Sequence, residues 1–477
     1  MLHRRSFVQS TTLLGGLSLL SGTLIGRSLL SILPTYISGR PPVAKRKFTS
    51  PVIEAHIRKV KTGIADPELA WLFENCFPNT LDTTVTHHGM LDGKLDTFII
   101  TGDINALWLR DSSAQVYPYL PFITQDAKLK ALIQGLINRH TRCVLIDPYA
   151  NAFNYDRSKK SQWYSDDTDM KPELHERKWE VDSLCYVIRL AHGYWQTTGD
   201  TSLFDEQWVA AMKTIIRTFI AQQRKTSKGP YHFQRKTLTP TDTLTNKGYG
   251  PSCIPTGMIC SMFRPSDDAT TYPYLIPSNL FAVTSLRQLA EMMKSIQQEA
   301  TAADCTTLAT EIDEAIKKYG IVPHGTAGNV YAYEVDGLGA SLLIDEPNMP
   351  NLLSLPYFDA KHTHDGVYLN TRQMLFSTFN PYYIQGKSAT GLGSSHTRRG
   401  YIWHLSLIAQ ALTSTDAQEI KTCIAAIKAS NAGTGFMHES FDADHPTHYS
   451  RSWFAWANTL FGELITKVYA ERPELLK

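Results

Sequence analysis

The chain has 477 residues, of which 43% are hydrophobic and 19% charged, and a formal net charge of +2. That balance excludes a disordered polyelectrolyte and gives no electrostatic reason to expect nucleic acid or an acidic polymer as partner. Length alone suggests two or three domains, but no Pro/Ser/Gly-rich linker interrupts the chain beyond residue 50, so residues 46–477 read as a single large domain.

At the amino terminus His3-Arg4-Arg5-Ser6-Phe7-Val8-Gln9 precedes an apolar run from Thr11 to Gly26. This reads as a twin-arginine export signal with its linker, residues 1–45, and places the protein in the periplasm or outside the cell. An uncleaved membrane anchor is the rival reading, because no clear A-x-A site follows and a second apolar run continues from Ser28 to Ile37. Past that point no stretch is long and apolar enough to span a bilayer, so no stable membrane insertion is expected after export.

The remainder reads as all-α. Helices are expected at 52–62, 66–76, 112–120, 126–146, 179–198, 203–224, 279–299, 304–319, 371–380, 398–413, 416–430 and 451–470. Asp66-Pro67 opens one as cap and first-turn proline, Gly199 and Gly320 close others, and Asp416 with Glu419 resembles a capping box. The intervening segments 147–178, 225–278 and 321–370 are long and rich in Pro, Gly, Asp and Tyr, a length that usually accompanies function; Val330 to Val335 suits a short strand. Seven cysteines, an odd number without C-x-x-C spacing, leave at least one thiol unpaired in a monomer. Reduced buried thiols are expected, with Cys253 and Cys260 near enough in sequence for a local disulfide.

Three segments carry chemistry. Trp179-Glu180-Val181-Asp182 sets two carboxylates and an indole at a helix start, where Asp182 has a structural reading as a first-turn carboxylate. Gly435-Phe436-Met437-His438-Glu439 is a glycine-flanked aromatic loop with one glutamate. Trp108, Arg110 and Asp111 combine a stacking surface, a forked donor and an acceptor, the groups needed to grip pyranose hydroxyls, although Arg110 and Asp111 also suit a structural ion pair. His438-Glu439 does not continue as H-E-x-x-H, and neither a Walker loop nor a strand-borne G-x-G-x-x-G occurs. Asp442, Asp444, His445 and His448 hold ligand atoms for a metal but read better as a solvated loop tip, so no metal or other cofactor is expected.

Together these stretches resemble glycoside hydrolase family 125, the metal-independent exo-α-mannosidases that favour α-1,6 linkages. The resemblance runs through TGDINALWLRDSSAQVYPYL (101–120), KWEVDSLCYVIRLAHGYW (178–195), FRPSDDATTYPYLIPSN (263–279), GLGSSHT (391–397) and GFMHESFDADHPTHYSRSWFAWAN (435–458). It implies an (α/α)6 toroid of the six-hairpin type and an inverting hydrolase acting on terminal α-1,6-mannose of mannans or N-glycans. Matched by motif, Asp182 takes the place of the general acid and Glu439 that of the general base. Asp103, Trp108, Arg110, Asp111, Glu180, Arg264, Asp267, Asp268, His396 and His438 become substrate-binding candidates, with Arg264, Asp267 and Asp268 equally suited to an internal ion-pair network. The family pattern has Pro where this chain has Asn105, Val187 and Ser395, none of them a catalytic group. A mannose-containing oligosaccharide is the expected partner and a monomer the expected state. The rival functions are another toroid glycosidase or a polysaccharide lyase, and a non-catalytic glycan-binding protein on the same scaffold.

Overall fold

Fourteen α-helices follow one another among the described residues of the computed structural model, 36–158 and 160–477; the export segment expected at the amino terminus lies largely in residues 1–35, outside them. In chain order they are α1 (Pro51–Gly63), α2 (Pro67–Cys76), α3 (Asn79–Thr83), α4 (Leu109–Val116), α5 (Ala127–Ile146), α6 (Val181–Thr198) and α7 (Glu206–Gln222). They continue with α8 (Ile276–Ser295), α9 (Glu299–Ala315), α10 (Leu355–Phe358), α11 (Gly366–Leu375), α12 (His404–Leu412), α13 (Ala417–Ala429) and α14 (Ala455–Glu471).

The even-numbered helices from α4 onward form an inner ring. Helix α4 packs on α6, α6 on α8 and α8 on α10, while α12 packs on α14 and α14 returns to α4. Outside them α5 and α7 back α6, α9 backs α8, α13 backs α12 and α2 backs α14, giving the alternating inner and outer helices of an (α/α)6 toroid. Burial follows the ring. In α12 nearly every side chain from His404 to Leu412 is buried, whereas outer α13 buries only Ile420, Cys423, Ile424 and Ile427. No helix among the described residues is long and apolar enough to cross a membrane.

The local signals act as the sequence implies. Asp66 Oδ1 accepts from the N–H groups of Glu68 and Leu69 ahead of Pro67, and Gly199 ends α6 at φ 66°. Asp416 caps α13 through Gln418 N–H, but the reciprocal half of the box is replaced: Glu419 accepts from Ser414 and Gln410 and pairs with Arg372. The helix expected at 112–120 begins earlier, at Leu109, and tightens into a 3-10 turn from Tyr117 because Pro118 and Pro121 lack the amide an α-helix needs there. Helices α3 and α10 are too short to show a period, and the expected strand appears as Gly328–Tyr331 and Glu334–Val335.

Short strands deliver the chain into the inner ring. Leu107–Trp108 leads into α4, Tyr274–Leu275 into α8 and Tyr401–Trp403 into α12, and Gly102 bridges Phe454 at the entry to α14. Gly102 has φ 132° and an added Cβ would lie 2.3 Å from the Trp453 carbonyl oxygen, so only glycine fits this crossing. The amino-terminal ends of the inner helices are thereby collected at one end of the barrel.

Candidate active site

Arg110, in the first turn of α4, is the hub of that end. Its Nη1 donates to Glu180 Oε2 at 2.7 Å and to Asp182 Oδ2 at 2.9 Å; Nη2 lies 3.5 Å from Asp267 Oδ1 and Nε 3.7 Å from Asp111 Oδ2. Four carboxylates around one buried guanidinium leave excess negative charge in a medium that solvates it poorly, so protons are retained. Burial, incompletely offset by Arg110, raises Glu180 well above the ordinary carboxylate range, and the charge and hydrogen bond of Asp267 raise it further. Asp182 is raised for the same first reason, and burial lifts Asp111 to about 6 against the pull of Arg110 and Arg451.

These carboxylates differ in access. Asp182 and Glu180 present no side-chain surface to solvent, Asp111 presents 9% and Asp267 27%. Asp267 sits in a tight turn, where its N–H donates to Arg264 O and Arg264 N–H donates to Asp268 O, and its own φ is 68°. A left-handed aspartate is strained backbone, held here by Lys178 Nζ on the Asp267 carbonyl at 2.8 Å and Asn151 Nδ2 on its carboxylate at 3.3 Å. Lys178 in turn pairs with Asp242 at 2.7 Å.

Across the site Glu439 directly precedes the strand Ser440–Asp442. Ser450 Oγ donates to its Oε2 at 2.9 Å and Arg451 Nη1 to its Oε1 at 3.4 Å. Arg451 has φ 48° and its other nitrogens grip Asp103, tying the segment before α14 to the loop before α4. His396 stands between the two sides with 36% of its side chain exposed. Burial opposes its charge, but the Asp268 hydrogen bond at 3.1 Å and the fields of Asp268, Glu439 and Asp267 raise it to about 9. Ser395 Oγ donates to Asp268 and Glu346, bonds that proline at this position would lack.

The structure brings together Asp103, Arg110, Asp111, Glu180, Asp182, Asp267, Asp268, His396 and Glu439, and corrects the surroundings expected of several. Asp182, expected to meet substrate as proton donor, is fully buried behind Arg110, with Ser278 Oγ 3.5 Å away on its other oxygen. Arg264 is 4% exposed and locked to Glu334 at 2.6 Å and Glu346 at 2.7 Å, so it belongs to an internal network rather than a ligand surface. His438 is likewise buried, stacked on Tyr449 at 3.7 Å and bonded to Thr434 and the Arg451 carbonyl; burial lowers it to about 4. Trp108 is only 7% exposed, packed with Ala106 and Ala152 and edge-on to His175. Asn151, Lys178, Ser450 and Arg451 were not among the expected site residues, although Lys178, Ser450 and Arg451 lie inside the quoted motifs.

At the Asp442 to His448 loop tip, Asp442 Oδ1 accepts from the N–H groups of Asp444 and His445, a self-capped turn. Among the described residues no group of three His, Cys, Asp or Glu side chains is arranged to hold a metal ion.

Residues 66–466 match the family model of the metal-independent α-mannosidases, GH125. The chain belongs to glycoside hydrolase family 125. This family 125 member is 41% identical over 457 residues to the meiotically up-regulated gene 157 protein of Schizosaccharomyces pombe, covering 92% of this chain and 89% of the relative. It is 44% identical to a metal-independent α-mannosidase structure from Streptococcus pneumoniae in a non-productive complex with α-1,6-mannobiose, with a TM-score of 0.86 over 89% of this chain and 100% of the other. A bacterial glucoamylase complexed with acarbose superposes with a TM-score of 0.51 at 11% identity over 88% of this chain and 59% of its own, a likeness of fold alone.

Proposed function

We propose that this chain is an inverting exo-α-mannosidase that releases terminal α-1,6-linked mannose, with Asp267 as proton donor and Glu439 as the base that activates water. One observation carries the residue assignment. Asp267 and Glu439, with 27% and 11% of their side chains exposed, stand on different loops at the same end of the barrel as the His396 imidazole, which is hydrogen-bonded to Asp268 next to Asp267. Hydrolysis needs a proton on the leaving oxygen and a deprotonated water on the opposite face of the ring. Asp267 is suited to the first task by access, since with 27% of its side chain exposed it is the most open of the four carboxylates around Arg110. Glu439 is suited to the second because Ser450 and Arg451 hold its two oxygens in place from one side, at 2.9 and 3.4 Å. Asp182, completely buried, supports the arrangement through Arg110.

Asp103, with 30% of its side chain exposed, and Asp111, with 9%, are placed to accept from mannose hydroxyls. The long segments 147–180, 223–275 and 321–354 supply the walls that would block one end of the groove and make the action exo. The α-1,6 preference rests on the mannobiose bound by the Streptococcus pneumoniae relative. Export is proposed from His3-Arg4-Arg5 and the apolar run after it. Incubation with α-1,6-, α-1,2- and α-1,3-mannobiose tests the assignment: mannose should appear fastest from the first. Absence of release from all three would reject it.

A further inference from the structure

Of the seven cysteines, six are buried and Cys253 is partly accessible. Its Sγ lies 3.8 Å from that of Cys260, both as free thiols, seven residues apart in the loop between α7 and α8. Cys260 is held on its backbone: its N–H donates to Gln222 O at 2.9 Å and its carbonyl accepts from Trp179 Nε1 at 2.7 Å. The Cys253 side is held more loosely, through Ile254, whose carbonyl accepts from Tyr274 OH at 2.7 Å and whose N–H reaches Asp336 O at 3.4 Å. Closing a bond of about 2.05 Å requires the sulfurs to approach by less than about 2 Å. Pro255 and left-handed Gly257, at φ 104°, already fold the intervening segment back on itself.

We propose that Cys253 and Cys260 form a thiol–disulfide site that takes small disulfides of the glutathione class as oxidant. The Cys253 thiolate attacks one sulfur of the oxidant and expels a thiolate. Cys260 Sγ then attacks Cys253 Sγ in the mixed disulfide and expels the second, so two protein thiols lose two electrons and two protons and the oxidant becomes two thiols. The roles follow from access, with the open thiol attacking and the buried one resolving. The Cys260 hydrogen bond, with help from Tyr274 and against the effect of burial, lowers Cys253 to about 6, which supplies thiolate at neutral pH. Closure would pin the outer part of the loop to the anchor at Trp179, the residue before Glu180.

Treatment of the full-length protein with oxidised glutathione, followed by alkylation and mass analysis, tests this site. The expected result is a protein carrying two alkyl groups fewer than the untreated one, about 2 Da lighter once the alkyl groups are subtracted and without a lasting glutathione adduct, reversed by dithiothreitol. Cyanogen bromide cleavage at Met258 should leave the two flanking fragments joined only after oxidation, and the oxidised protein should melt above the reduced one. The Cys253→Ser variant should show neither the mass loss nor the shift in melting. A stable glutathione adduct on Cys253, alkyl groups on both Cys253 and Cys260 after oxidation, or a bridge to another cysteine would overturn the proposal.

Discussion

Replacing Asp267 and Asp182 one at a time by Asn separates chemistry from support, because the two carboxylates share Arg110 but differ in access. Loss of a general acid commonly lowers turnover about 10²- to 10⁴-fold, which at 1.36 kcal/mol per decade is roughly 2.7 to 5.5 kcal/mol of barrier. Asp267→Asn should show that loss on α-1,6-mannobiose while melting near the parent temperature, since its carboxylate is partly solvated. A dinitrophenyl α-mannoside, whose leaving group needs little protonation, should recover most of the rate. Asp182→Asn removes a fully buried acceptor from Arg110, worth on the order of 1.5 to 3 kcal/mol for a hydrogen bond to a charged group. It should lower the melting temperature by a few degrees and depress both substrates alike. Paired assays of the two substrates with thermal melts decide the matter: selective rescue of Asp182→Asn, with none for Asp267→Asn, would refute the assignment.

Further outcomes follow from the same geometry. Glu439→Gln should keep mannoside binding and lose turnover about 10²- to 10⁴-fold on good and poor leaving groups alike, measured by calorimetric titration beside steady-state rates. Arg451→Met removes the side chain that ties Glu439 to Asp103, so kcat on α-1,6-mannobiose should fall at least about tenfold; unchanged kcat in steady-state assays would mean that Arg451 does not position the base. His396 is raised to about 9 in the folded protein, so its stabilising contribution is complete below its unfolded value of about 6.5 and lost as pH rises through about 9. The stability difference between parent and His396→Asn should therefore shrink across that window, as denaturant titrations at several pH values would register. Dialysis against EDTA should leave mannobiose hydrolysis unchanged, and a loss restored by calcium or zinc would contradict the metal-independent account.

Helix identity was legible wherever an amphipathic period met a clear cap, as in α2 and α6 with Asp66 and Gly199. Helix α10 was not, because its four residues are shorter than two turns and their burial comes from the ring around them. Within the site, the motifs contain the groups but not their depth. Asp182 and Asp267 are both aspartates beside aromatic segments, and nothing local distinguishes them; Arg110 arriving from α4 covers the first and leaves the second open. The sequence leaves Arg264 open between a ligand contact and an internal ion-pair network for the same reason, since Glu334 and Glu346 come from distant segments, and the burial of His438 under Tyr449 is set by the strand turn between them. The left-handed backbone of Asp267 and Arg451 is equally invisible in sequence, as neither is glycine.

Stereochemistry tests the central claim most directly. Proton NMR of α-1,6-mannobiose during the first minutes of hydrolysis, before mutarotation, should show β-mannose appearing first, as direct attack by a Glu439-activated water requires. Early α-mannose would establish retention through a covalent intermediate and contradict the account of Asp267 and Glu439 as acid and base across one water.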